Sequence, residues 1–236
     1  MARLCLCLNQ VAQMRQFNKT REPDPVNVAI AAEIAGIDGI VVQVSGNRSD
    51  ITDRDLQILK EVVKSHFNLA VPLQEEMIQK AIHLLPDMVT LLPGGEDEAV
   101  SLDVEANFEL IEEVAANLRA KSIVVNALIA PENHQVRAAA RAGMDYVQVN
   151  TFPLSQIEDL GAMTEQVERI RSVALAAHKL GMGVSAGRRL SFQNIREIGG
   201  IEVIEECNVG RAIISRSLLT GIDRAIIHLK SQLLGK

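Results

Sequence analysis

Tryptophan is absent from this sequence, tyrosine occurs once, and cysteine three times. So few rings exclude the stacking platforms that hold single-stranded nucleic acid. Basic residues number 24 against 30 acidic ones, for a net charge of −6, and they are scattered. That balance disfavours nucleic acid or an anionic membrane as the partner. An odd number of cysteines, two of them in Cys5-Leu6-Cys7, argues against a disulfide framework and for a reducing cytoplasm. Cys5 and Cys7 read as small apolar fillers on one side of a strand, because no further Cys or His pair completes a metal site. No metal and no cofactor are expected. Apolar runs as long as about 18 residues are also missing, which excludes a membrane-spanning helix of the usual kind. The opening "MARLCLCLNQ" turns polar too early for a secretory leader.

What is present is an alternation of short β-branched runs with longer amphipathic ones. The pattern predicts strands over 4–8, 39–44, 69–73, 88–92, 123–128, 146–150, 183–186 and 203–208. Helices are predicted over 25–35, 52–65, 74–84, 104–119, 131–142, 163–180, 191–198 and 218–234. Asp24-Pro25, Thr52-Asp53, Ala130-Pro131 and Leu190-Ser191 supply helix-start signals. A weak repeat, "AEIAGIDGI" (32–40), "AARAGMDYV" (139–147) and "AHKLGMGV" (177–184), ends a helix with glycine and enters a strand. It places Asp38 and Asp145 at strand entrances. Eight strand–helix units and no linker predict one domain over 1–236, an α/β chain folded as a (β/α)₈ TIM barrel.

In such a barrel chemistry collects where the strands end, and phosphate groups sit beside the last two strands. The predicted exits carry Asn9-Gln10, then Gln43, Ser45, Asn47 and Arg48, then Pro72-Leu73-Gln74. Pro93-Gly94-Gly95-Glu96-Asp97-Glu98 and Asn126 follow, then Gln148, Asn150 and Thr151, then Gly187-Arg188-Arg189, and last Asn208-Val209-Gly210-Arg211. Glycine beside arginine after two neighbouring strands predicts an anion site of freed backbone N–H groups and guanidinium forks. The plainer alternative pairs Arg188 or Arg211 with Glu205, Glu206 or another acid. Arg189 is expected to face outward, since neighbours on an extended run alternate. All five histidines, His66, His83, His134, His178 and His228, fall in predicted helices or just after them, so they are assigned to the outer ring. The exits then hold almost nothing that exchanges a proton near pH 7. Glu75-Glu76 and Asp50 are the acids left to consider, the pair reading mainly as a helix-start feature. The acidic run "PGGEDEAVSLD" (93–103) is either a lid or an exposed loop kept soluble by its charges.

Several pieces resemble the pyridoxine 5′-phosphate synthase family: "PDPV" (23–26), "AAEIAGIDGI" (31–40), "ITDRDLQILK" (51–60), "NL" with "EEM" (68–69, 75–77) and "NVGRAIISRSLLTGI" (208–222). The resemblance spans nearly the whole chain. It implies a TIM barrel in a homo-octamer that condenses 1-deoxy-D-xylulose 5-phosphate with 3-amino-2-oxopropyl phosphate, without metal or organic cofactor. It also implies histidines and glutamates that shuttle protons, and these are missing. The family's strand-2 histidine matches Gln43, its strand-3 glutamate Ala70, its strand-6 glutamate Gln148 and its strand-7 histidine Arg188. Arg189 stands where a glycine is expected, and Gly210-Arg211 replaces a glycine–histidine pair. The N-terminal Asn-x-Asp-His is reduced to Asn9-Gln10. A first-loop arginine aligns with Asn18, with Arg15, Lys19 and Arg21 nearby, and Ser45 replaces an arginine while Arg48 persists. Losing one general acid or base costs about 10²–10⁴ in rate, and arginine cannot serve as a base. The expectation is a barrel that binds a phosphorylated or other anionic small molecule through Asn9, Gln43, Arg48, Gln148, Asn150, Thr151, Gly187, Arg188, Arg189, Asn208, Gly210 and Arg211, without synthase chemistry. The rival expectation is an active enzyme with relocated groups, in which Glu75, Glu76 or Glu96 reaches the mouth. A purely structural role for the outer helices is the third.

Overall fold

The computed structural model describes residues 2–45, 50–95 and 97–235. Among them eight parallel strands close in sequence order: β1 (Arg3–Cys7), β2 (Gly39–Gln43), β3 (His66–Pro72), β4 (Met88–Leu92), β5 (Val124–Ile129), β6 (Tyr146–Asn150), β7 (Gly183–Gly187) and β8 (Ile204–Val209). β8 pairs with β1 to seal the barrel. Ten helices surround it: α1 (Asn9–Asn18), α2 (Pro25–Ile34), α3 (Asp53–Val62), α4 (Glu75–Leu84), α5 (Phe108–Arg119), α6 (Asn133–Arg141), α7 (Leu160–Lys179), α8 (Ile195–Gly199), α9 (Arg211–Thr220) and α10 (Ile222–Leu233). This is the expected (β/α)₈ barrel.

Local chemistry explains the boundaries. α2 starts where Asp24 accepts a 2.9 Å bond from the Val26 N–H, with Pro25 in the first turn. α3 opens on a capping box: the Thr52 hydroxyl accepts from the Asp55 N–H, and the Asp55 carboxylate from the Thr52 N–H. Gly36, Gly143 and Gly181 take φ of 90°, 75° and 83°, so the repeat does end each helix in the left-handed region. The strand-entrance aspartates cap the strand before them. Asp38 accepts from the Leu4 N–H at 2.9 Å and Asp145 from the Val125 N–H at 2.9 Å. Asp87, which the repeat did not reveal, does the same for Phe67 at 2.8 Å.

Several expectations are corrected. α1 was not predicted, because this amide-rich segment buries only Val11 and Ala12 and shows no apolar period. The predicted helix over 218–234 is two helices, parted at Gly221 with φ 83°, and the first begins at Arg211. The helix predicted from 104 starts at Phe108, because the Val104 N–H donates to Gln135 Oε1 and Asp103 caps Ala106 instead. β3 begins at His66, three residues before the predicted strand. His66 therefore leaves the outer ring: it stands at the barrel floor with Nε2 3.9 Å from the fully buried Glu206, which Arg3 approaches at 3.2 Å.

The main apolar core lies between strands and helices, from Leu4, Leu6 and Ile40 round to Ile226 and Leu229. The lumen is different. Thr90 donates to Asn68 at 2.9 Å, and Asn126 Nδ2 donates to Thr90 at 3.1 Å and Ser185 at 3.2 Å, all four residues buried. Among the described residues, Ala70, Leu92 and Leu128 form a small apolar cluster of their own.

Candidate functional site at the barrel mouth

A cavity of about 910 Å³ opens above this polar lumen. Strand ends supply its floor: Cys7, Val41, Gln43, Ala70, Thr90, Leu92, Gln148 and Asn208. The four positions that the resemblance aligns with proton-handling groups, Gln43, Ala70, Gln148 and Arg188, thus converge on one space. The floor is held by amides. Asn9 Nδ2 donates to the Gln43 carbonyl at 2.6 Å, and its Oδ1 accepts from the Gln43 N–H at 2.8 Å. Asn208 Nδ2 donates to Gln148 Oε1 at 3.0 Å. Gly187 makes that placement of Gln148 feasible, since a Cβ there would lie 2.4 Å from Gln148 Nε2. Gly210 plays a similar part beside Gln10, 2.2 Å from where its Cβ would sit.

Arg188 and Arg189 both line the cavity, which corrects the outward placement of Arg189. Their φ angles are 79° and 60°, so the backbone turns left-handed twice instead of continuing extended, and the expected alternation is lost. Two such non-glycine residues in a row are costly, about 1–3 kcal/mol each, and cluster at functional sites. The turn is braced from β6: the Thr151 hydroxyl lies 2.6 Å from the Arg188 carbonyl and 2.9 Å from that of Gly187, and can donate to either. Arg188 Nη1 reaches Gln43 Oε1 at 3.4 Å. Burial pulls the Arg188 guanidinium below its usual value, partly opposed by the charge of Glu98.

The acid that pairs with the exit arginines is Glu98, from the 93–103 loop. Its Oε2 accepts from Arg211 Nη1 at 2.8 Å and from Arg189 Nε. Burial pushes this carboxyl up, but the bonds and charges of Arg211 and Arg189 outweigh it and hold it below the usual carboxylate range. Asn150 and Thr151 do not line the cavity. Asn150 Nδ2 instead binds the Glu98 carbonyl at 3.1 Å and the Ser101 hydroxyl at 3.0 Å, anchoring the loop that carries Glu98. Glu205 and Glu206 are engaged elsewhere, with the Tyr146 hydroxyl at 2.6 Å and with Arg3.

Carboxylates do reach this rim, against the expectation that almost nothing at the exits exchanges a proton: Glu98, Asp97 and Asp50 line the cavity. Glu75 and Glu76 do not, being exposed in the first turn of α4. Asn47, Arg48 and Glu96 lie outside the described residues. Cys7 also reaches the floor, but burial raises its thiol pKa and leaves it a poor nucleophile. Among the described residues no group of three or more His, Cys, Asp or Glu side chains is arranged to hold a metal ion, and no helix is long and apolar enough to cross a membrane. Sequence reasoning placed Glu98 at a strand exit but missed its pairing, because Arg189 and Arg211 lie 91 and 113 positions further on. The available signal was an acidic loop and an arginine-bearing exit in one chain.

Fold and mouth define a (β/α)₈ barrel whose candidate site lies at the C-terminal ends of its strands. Solved barrels of the same shape include thiamine phosphate pyrophosphorylase from Pyrococcus furiosus, with TM-score 0.65 at 14% identity over 99% of this chain and 96% of that one. Another is KGPDC from Streptococcus mutans, at 0.68 and 10% identity, covering 100% and 98%. Sequence relatives narrow the class: the family model described as "Pyridoxal phosphate biosynthesis protein PdxJ" matches residues 4–234, and the chain belongs to that family. It is 38% identical to the pyridoxine 5′-phosphate synthase of Geotalea uraniireducens (strain Rf4) over 229 residues, 96% of each chain. It is 34% identical to that of Synechococcus sp. (strain JA-2-3B'a(2-13)), covering 94% of this chain and 95% of the other.

Proposed function

We propose that this PdxJ-family barrel binds a phosphate ester, or another small anion, at its mouth and does not carry out the synthase condensation. The observation behind this reading is the content of the floor. Gln43, Ala70, Gln148 and Arg188 share the cavity, and none of them exchanges a proton near neutral pH. Arg188, Arg189 and Arg211 supply the forks that match phosphate oxygens. The reading assigns ligand contact to Gln43, Arg188, Arg189, Asn208 and Arg211. Asn9, Gln148, Asn150, Thr151, Gly187 and Gly210 support those residues from behind. The reading includes no cofactor, a cytoplasmic setting supported by three free thiols, and a homo-oligomer. Self-association is supported by exposed apolar side chains on the outer helices, among them Ile34, Leu218 and Leu219.

One observation favours a second reading, an active enzyme with a relocated acid. Glu98 is a carboxylate inside the cavity. Against that role, its two-arginine clamp keeps it ionised, whereas a general acid works best with a pKa near the working pH. An assay of pyridoxine 5′-phosphate formation from the two family substrates separates the readings. The expected result is no product above the enzyme-free control. Turnover near about 1 s⁻¹, an ordinary enzymatic rate, would overturn the first reading, and its loss in Glu98→Gln would establish the second.

A further inference from the structure

Arg189 and Arg211 come from loops after neighbouring strands, yet both donate to the same oxygen, Oε2 of Glu98. Two guanidinium groups converging on one carboxylate oxygen is the geometry in which proteins hold an oxyanion. Here the oxyanion is part of the chain. The Glu98 side chain is about one-fifth exposed while its partners are about two-fifths exposed, so the pair faces the open cavity. The backbone beneath Glu98 is fixed separately. Asn150 holds the carbonyls of Glu98 and Ala99 and the Ser101 hydroxyl, and the Leu102 N–H donates to the Leu128 carbonyl at 2.8 Å. Glu98 can leave the arginines by side-chain rotation alone, with the loop still anchored.

Resting on the proposed anion-binding reading, we infer that Glu98 is a built-in occupant of the anion seat between Arg189 and Arg211, and that a ligand phosphate binds only by displacing it. The seat then favours a dianion over a monoanion. A carboxylate ligand merely replaces like with like, whereas a phosphate monoester brings a second negative charge and a third oxygen. Arg188 stands in the same cavity, its Nη1 3.4 Å from Gln43 Oε1, placed to meet that extra charge. The displaced carboxylate swings out to water, and no bond is made or broken.

The test is calorimetric titration of the full chain, wild type and Glu98→Gln, with inorganic phosphate, ribose 5-phosphate and acetate. If the seat is occupied about nine-tenths of the time, apparent affinity is reduced about tenfold, because only the open fraction binds. Glu98→Gln should therefore bind both phosphates about tenfold more tightly, and Arg211→Ala should weaken both in either background. Acetate should gain less. Equal phosphate affinity in wild type and Glu98→Gln, or weaker binding in the variant, would overturn the inference while leaving the anion pocket standing. Failure of every anion to bind either protein would remove the pocket reading as well. A direct measurement needs no variant: the Arg189 Nε–H resonance of the wild type should shift as phosphate replaces Glu98. Phosphate saturation without such a shift would count against displacement.

Discussion

Asp55 ties two helices together through a single carboxylate. It is fully buried, closes the capping box of α3, and receives both arms of the Arg15 guanidinium from α1, at 3.0 and 2.6 Å. Burial pushes its carboxyl up, but the bonds from Arg15 and Thr52 outweigh that and hold it below the ordinary range. A carboxyl whose folded pKa is depressed stabilises the fold above its unfolded value of about 3.9 and loses that contribution as pH falls through the folded value. Acid unfolding should accordingly become steeper below about pH 4, and Asp55→Asn should flatten that part of the stability–pH curve. Asp55→Ala, which strands the Arg15 charge, should cost about 3 kcal/mol at neutral pH, measured by urea unfolding.

At the scale of elements, the turn after β7 offers a cleaner comparison. Arg189 sits at φ 60°, where a Cβ is penalised and glycine is not. Arg189→Gly and Arg189→Ala remove the same guanidinium, but only the first relieves the backbone. The glycine variant should be the more stable by about 1 kcal/mol in urea unfolding, with both losing phosphate affinity. This turn also marks where sequence reading stops. β4 and β6 match their predicted ranges to the residue, since each is a β-branched or apolar run with clear turn signals on both sides. The direction of Arg189 was illegible, because period-two alternation assumes an extended backbone. Glu98 was placed at its strand exit, but its pairing was illegible for another reason: its partners are fixed by barrel closure and by Asn150, not by anything local. By contrast, the exit amides and arginines were legible once the strands had been placed, and the convergence of Gln43, Gln148, Arg188, Asn208 and Arg211 followed from topology.

For the whole molecule, the barrel floor is the place where charge and burial conflict. Glu206 is sealed inside, with Arg3, His66 and the buried Cys5 thiol among the cationic or titratable groups beside it. Arg3→Met should leave that carboxylate uncompensated and cost about 3 kcal/mol in thermal or urea unfolding. The double variant Arg3→Met with Glu206→Leu should recover most of the loss, since it removes the buried carboxylate together with its half-exposed partner and strands no charge. Recovery of none of it would assign the destabilisation to packing at the floor.

The annular placement of the apolar core has a consequence beyond stability. Cohesion of the shell resides in the wall between strands and helices, whereas reactivity is decided by the side chains along the axis. A protein built like a sleeve can exchange its inner fittings, imidazole for amide or carboxylate for guanidinium, and still keep its form. Such a scaffold separates what holds it together from what it can do.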